Sequence, residues 1–255
     1  MASAENTAVQ PIRPAATVII AREAPAVRGG FEIFMLRRTR GAAFAGGMYV
    51  FPGGKVDGDD HLHKYDDHRQ GPSDFQAPQQ AALGAEWRGY WVAGIRESFE
   101  EAGLLLAYTA EGELLAYDDD NHDRFHAYRG PLHDGTLSLL EICEQEDLKL
   151  AVDHIHFVNR FVTPMGRPRR FDTRFFLAEA PPGQTGFHDE QETVDSIWIS
   201  PLDAMARNDA GEFDLMRVTR IQLEMLAEQG SHAELISWLH GLDHFPVFRP
   251  AVPRD

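Results

Sequence analysis

The sequence predicts a mixed α/β or α+β domain, and three observations carry that expectation. Short β-branched or alternating apolar runs recur along the chain. One segment, residues 87–103, repeats large apolar residues every four positions. The order is strands, then a helix, then strands, then helices. A length of 255 residues suits one domain with additions, and 43% hydrophobic residues suffice for a sizeable core.

Residues 1–13 are polar and carry Pro11, so they read as a loose N-terminal arm, ahead of a single domain over residues 14–245. Residues 16–21 (ATVIIA) read as a buried strand, and residues 31–37 (FEIFMLR) as its hairpin partner. Residues 48–51 (MYVF) read as a third strand that runs directly into Pro52, Gly53 and Gly54. Residues 57–86 are acidic and rich in His and turn residues, and read as a solvated surface insertion. His61, His63 and His68 beside Asp66 and Asp67 invite a metal-cluster reading, but composition is its whole support. A helix is expected over residues 86–102 and another within 134–150. Residues 154–163, 171–178 and 195–199 read as strands, residues 201–206 and 214–242 as helical, and residues 246–255 as a tail.

Charge excludes some functions. Forty acidic against 24 basic residues give a net charge of −16, which disfavours nucleic acid and anionic membranes as partners. A small phosphorylated ligand stays open, because a bound divalent cation reverses the local sign. Cys143 is the one cysteine, which removes internal disulfides and Cys-rich zinc sites. The N-terminus has no secretory pattern and no run approaches a membrane span, so the expected location is cytoplasmic.

The chemistry concentrates on residues 87–103 (WRGYWVAGIRESFEEAG). Trp87, Trp91, Ile95 and Phe99 form one apolar stripe. At about 100° per residue, Glu97, Glu100 and Glu101 share a narrow arc on the opposite side. Arg96 flanks that arc and can pair with Glu100 four residues on. Gly103 stands where a left-handed cap is needed. Three neighbouring carboxylates repel, and a hard divalent cation such as Mg²⁺ converts the repulsion into ligation. A solvated acidic face is the competing explanation. Gly53-Gly54 at the end of a strand, ahead of this helix, shifts the balance toward a ligand site, since glycines permit close backbone approach.

With these residues in order, the sequence resembles the Nudix hydrolases. Their signature is Gly, five residues, Glu, seven residues, then Arg-Glu-apolar-x-Glu-Glu-x-Gly-apolar. Gly54 matches its opening, and residues 96–104 (RESFEEAGL) match its second half, with Ser98 at a usually apolar position. Asp60 stands at the first-half glutamate, and residues 61–95 replace the seven-residue spacer. This long insertion within the box, together with residues 90–107, 169–178 and 192–200, is similar to the subgroup of the peroxisomal coenzyme A diphosphatase.

The resemblance implies an α/β/α sandwich around a mixed sheet, with C-terminal helices over 201–245. It implies Mg²⁺ or Mn²⁺ held by Glu97, Glu100, Glu101 and the Gly53 carbonyl, with Arg96 orienting the acids. It implies a further glutamate before Trp198, for which Glu192 comes first and Glu190 second. Either Glu101 or Glu192 would take the proton from the attacking water. Phosphates of the substrate would meet cations drawn from Arg37, Arg38, Arg40, Arg167, Arg169, Arg170 and Arg174, with Arg38, Arg40, Arg170 and Arg174 preferred. The implied partner is a nucleoside diphosphate derivative, first of all coenzyme A or acyl-coenzyme A. ADP-ribose, nucleotide sugars and dinucleoside polyphosphates are the alternatives, and a silent nucleotide-binding module is the alternative of another class. Many relatives are homodimers. From its position, the 61–88 insertion is expected to cover part of the cleft and influence substrate choice.

Overall fold

The computed structural model describes residues 11–42, 45–167, 169–189 and 192–250. The first strands follow their β-branched and aromatic cores: β1 (Ile12–Glu23), β2 (Phe31–Arg38), β3 (Tyr49–Val50) and β4 (Gly53–Lys55). Then come β5 (Arg69–Gln70), helix α1 (Ala77–Leu83), helix α2 (Trp87–Ala102), β6 (Ala107–Tyr108), α3 (His122–His133) and α4 (Leu139–Glu146). The chain continues through β7 (Lys149–Ala151), β8 (Ile155–Val162), β9 (Arg170–Glu179) and β10 (Thr193–Ile199). It ends with α5 (Pro201–Asp209), α6 (Arg217–Ala227), α7 (His232–His240) and β11 (Val247–Phe248).

The main sheet runs β10-β2-β1-β9-β8-β11, with β3 on β2 and β4 on β1. It is mixed: β1 is parallel to β9 but antiparallel to β2 and β4. Side-chain alternation splits its two faces. Val18 and Ile20 of β1 join Phe34 and Leu36 of β2 in the core that holds Trp91, Ile95 and Phe99 of α2. Ile19, Ile33 and Met35 point the other way, against Leu223, Leu226, Leu235 and Leu239 of α6 and α7. This is the expected α/β/α sandwich.

Several sequence expectations change in the structure. The first strand begins at Ile12, inside the expected arm, because Ile12 and Arg13 pair with Arg170 and Phe171. The expected tail contributes β11, which pairs with β8. The single helical stretch over 214–242 is two helices, and Ser231 caps the second by accepting from the Glu234 amide. The helix sought within 134–150 is confined to α4, with Ser138 and Glu141 forming its capping box. Helix α3 had no apolar period to announce it.

The insertion is a packed brace rather than a solvated loop. Tyr65, Gln76, Gln79 and Leu83 are buried within it. The Gln76 side chain donates to the carbonyls of Val152 and Ile155, and Gln79 accepts from the Phe157 amide. β5, β7 and β6 form a second, three-stranded sheet from three distant segments. The three insertion histidines are dispersed: His63 is exposed, His68 lies 3.4 Å from the Leu148 carbonyl, and His61 packs on Gly89 of α2.

Candidate active site

The site is built where β4 passes over α2. Helix α2 ends as expected, with Gly103 in the left-handed conformation and its amide donating to the Phe99 carbonyl. The acids, however, do not lie on a solvated face. Glu97 and Glu101 are 7% and 6% exposed, and α2 is buried on nearly every side. Ser98 fits this interior because its hydroxyl donates to the Gly94 carbonyl four residues back.

The two glycines make room for the carboxylates. The Gly53 amide donates to Glu101 Oε2 at 2.9 Å. A Cβ at Gly54 would overlap the Glu97 carboxylate, and one at Gly53 would sit 2.5 Å from the Ala16 carbonyl oxygen. Only glycine backbone lets β4 lie between β1 and the acids.

Arg96 organises the opposite side. Its Nε and Nη2 donate to both oxygens of Asp60, at 3.0 and 3.1 Å, and Nη2 also donates to the Lys55 carbonyl at 2.8 Å. Its Nη1 stands 2.9 Å from Glu97 and 3.2 Å from Glu100. Asp60 is 1% exposed. Burial raises its carboxyl above the usual range, and Arg96 pulls against that rise. The spacing from Gly54 therefore identified a buried partner for Arg96. Glu100 is the acid set apart, because Arg96 and His133 Nδ1, at 3.0 Å, hold it.

Arg38 reaches in from the end of β2. It lies 2.7 Å from Glu192 Oε2 and 3.9 Å from Glu101 Oε1, so it joins the expected pair of base candidates. Among the described residues its Nε is buried without a partner. Glu190 lies outside the described residues.

The other expected arginines separate. Arg174 does not face the cleft: alternation along β9 puts Asp172, Arg174 and Phe176 on the α2 side. There Arg174 pairs with Asp172 at 2.7 Å and lies over the Tyr90 ring. Arg170 donates to the Thr163 carbonyl, and neither Arg170 nor Arg40 lines the cleft. Arg37 donates to the Gly47 carbonyl and lies over Tyr49. Arg167 and Arg169 do line the cleft. Of the 61–88 insertion only Tyr65 lines it among the described residues, next to Asp57, Asp59 and Asp60 just ahead of the insertion.

Sequence reasoning missed one positioning residue. Arg129 of α3, 5% exposed, donates to the carbonyls of Glu100, Glu101 and Phe187. It thereby closes the C-terminal end of α2, where a cation also favours the helix dipole. Nothing in its neighbourhood (HDRFHAYRGPLH) signals this, since the segment is polar and contains Pro131.

The donor set suits a hard divalent cation. Burial pushes the Glu97 carboxyl up to about 8, against the pull of Arg96 and with Glu100 and Asp60 adding to the rise. Glu101 moves the same way, by burial and by repulsion from Glu97. Two neighbouring buried carboxylates that resist ionisation are the groups a cation would relieve. Among the described residues no three acid or His side chains converge on one point, since Arg96 stands between Glu97 and Glu100.

The cleft these residues line encloses about 1420 Å³. It passes from Glu97 and Glu101 around β4 to the sheet face formed by Ala15, Thr17, Thr173, Phe175 and Phe161. Residues 78–216 match the family described as the NUDT19 Nudix domain. The chain belongs to this Nudix family. It is 28% identical over 237 residues to the acyl-coenzyme A diphosphatase NUDT19 of Gallus gallus, across 76% of this chain and 62% of the relative. With the Homo sapiens protein of the same name it shares 28% over 210 residues, 69% of this chain and 55% of the relative. The match thus spans less than two thirds of these curated relatives. A Nudix hydrolase structure from Alicyclobacillus acidocaldarius superposes with a TM-score of 0.70 at 24% identity, covering 90% of this chain and 97% of that one. It supports the Nudix fold.

Proposed function

We propose that this chain is a metal-dependent diphosphatase that cleaves the phosphoanhydride of coenzyme A or acyl-coenzyme A. One observation carries the reading: the box carboxylates Glu97 and Glu101 are buried side by side beneath glycine backbone and open onto the large cleft. The named activity of the NUDT19 relatives supports the choice of substrate.

Glu97 and Glu101 would hold Mg²⁺ or Mn²⁺, with Glu100 recruited from Arg96 and His133 and the Gly53 carbonyl at hand. A bound cation neutralises anhydride oxygens and lowers the pKa of attacking water. The protein's own residues do the rest. Asp60 fixes Arg96, and Arg96 fixes the orientation of Glu97 and Glu100. Arg38 offers a cation to the phosphates from the wall facing Glu101. Glu192 is the base, because Glu101 is buried and bonded to Gly53, whereas Glu192 is exposed on the facing wall and has water to hand protons to. Glu192→Gln is expected to lower kcat about 10²–10⁴-fold. Metal-induced thermal stabilisation should persist in that variant. An unchanged kcat assigns the proton to Glu101 instead.

The test of the activity is product-resolved hydrolysis with Mg²⁺ and with Mn²⁺, using Glu101→Gln as the blank. Release of 3′,5′-ADP from coenzyme A, abolished in the blank, is the expected result. Turnover confined to ADP-ribose, a nucleotide sugar or a dinucleoside polyphosphate overturns the substrate. Metal binding without turnover of any of these overturns the enzymatic reading.

The raised carboxyls also set a pH dependence. Glu97 titrates above its ordinary value of 4.5 in the folded chain, so the folded state holds a proton that the unfolded state has lost. That contribution is complete below the ordinary value and disappears as pH rises through about 8. The melting temperature of chelated protein should therefore fall from about pH 5 to about pH 8 and level off above that, and saturating metal should flatten the decline. A slope that is the same with and without metal would remove Glu97 from the metal set.

A further inference from the structure

The far wall of the cleft holds cations with nothing to bind. Arg167 and Arg169, in the turn between β8 and β9, line the cleft. Among the described residues neither side chain has an acid partner, a hydrogen bond or a ring beneath it. By contrast, Arg22, Arg38, Arg69, Arg88, Arg96, Arg160, Arg174 and Arg220 pair with carboxylates.

The acids that line the cleft sit elsewhere, at Asp57, Asp59, Asp60, Glu97, Glu100, Glu101, Glu141 and Glu192. Asp172, the acid within β9, points to the other face and is taken by Arg160 and Arg174. Within the cleft, Glu101 lies against β4, whereas Arg167 and Arg169 stand at the β8–β9 turn.

Sheet register gives the spacing. Lys55 of β4 neighbours Ala15 of β1, Ala15 neighbours Thr173 of β9, and Thr173 neighbours Phe161 of β8. All four line the cleft, as one row across its floor. Three strand spacings of about 4.8 Å put β8 about 14 Å from β4. The arginine wall therefore stands too far away to be part of the carboxylate centre, yet within reach of a bound nucleotide.

We propose that Arg167 and Arg169 form a second anion subsite. It would hold a phosphate monoester carried by the substrate apart from the anhydride that is cleaved, with guanidinium forks suited to phosphate oxygens. This rests on the diphosphatase reading for its choice of ligand: coenzyme A carries such a group as its 3′-phosphate, whereas dephospho-coenzyme A, ADP-ribose and simple nucleotide sugars do not. Substrate selection would then belong to Arg167 and Arg169, rather than to the box insertion.

The experiment measures binding first, so that it does not depend on turnover. Calorimetry on the full, chelated chain compares 3′,5′-ADP with 5′-AMP for the unaltered protein and for Arg167→Gln/Arg169→Gln. The unaltered chain should favour 3′,5′-ADP about tenfold, and the double variant should lose that preference. Lys149→Gln, an exposed cation away from the cleft, should keep it. In steady-state kinetics the double variant should raise KM for coenzyme A far more than for dephospho-coenzyme A. Equal binding of the two nucleotides by the unaltered chain, or a double variant that still discriminates, overturns the subsite. Discrimination in binding without hydrolysis of any anhydride overturns the diphosphatase reading and leaves the subsite standing.

Discussion

Replacing Glu101 by glutamine is expected to lower kcat for anhydride hydrolysis about 10³-fold while the protein stays folded. The argument starts from the contacts of the carboxylate. Glu101 is buried, accepts the Gly53 amide at 2.9 Å, and faces Arg38 at 3.9 Å, too long for a hydrogen bond. Glutamine keeps the shape and can still accept from Gly53 through its amide oxygen. What it removes is a negative charge that burial and Glu97 already disfavour. Chelated Glu101→Gln should therefore melt no lower than the unaltered chain, and at higher temperature where the carboxylate would be ionised. Metal should stabilise the variant less. Turnover, melting curves and metal titration on one preparation separate the outcomes. Retained turnover removes Glu101 from the machinery, and a collapse in melting temperature assigns it a structural role.

Much of this centre could be read from the chain, and particular residues show where the reading stopped. The four-residue recurrence of Trp87, Trp91, Ile95 and Phe99 located α2 nearly to the residue, because a buried stripe imposes that period. Counting from Gly54 located Asp60. What periodicity did not convey is how much else covers the helix. The acids looked like a solvated face because their neighbours come from far away: β4 over Glu97 and Glu101, and α3 behind Glu100. The insertion looked solvated because its buried members include glutamines, and Gln76 and Gln79 satisfy backbone groups 76 to 79 residues away. Arg174 illustrates a different limit. Its strand was evident, but which parity faced the cleft depended on the register with β1 and β8.

Loss of Arg96 should be the most destabilising single change at this centre, about 3–5 kcal/mol, and larger than loss of its partner Asp60. The asymmetry follows from what each leaves behind. Among the described residues, Arg96→Met strands Asp60, 1% exposed, with only the Asp57 amide to bind, and it removes the one cation paired with both Glu97 and Glu100. Asp60→Asn leaves Arg96 with Glu97, Glu100 and the Lys55 carbonyl. Arg96→Lys should recover little, because an ammonium cannot bind both Asp60 oxygens while also reaching Lys55 and the helix acids. Chemical denaturation of the two single variants and the double variant measures the coupling. The double variant should be less destabilised than the sum of the singles, since removing Asp60 also removes the stranded charge. The Arg96→Met deficit should widen as pH rises, because Asp60 and Glu97 must then ionise without their cation, their carboxyls already raised by burial. A strictly additive cycle, or a deficit independent of pH, would mean that Arg96 supports the fold through packing of its side-chain stem rather than by neutralising the acids around it.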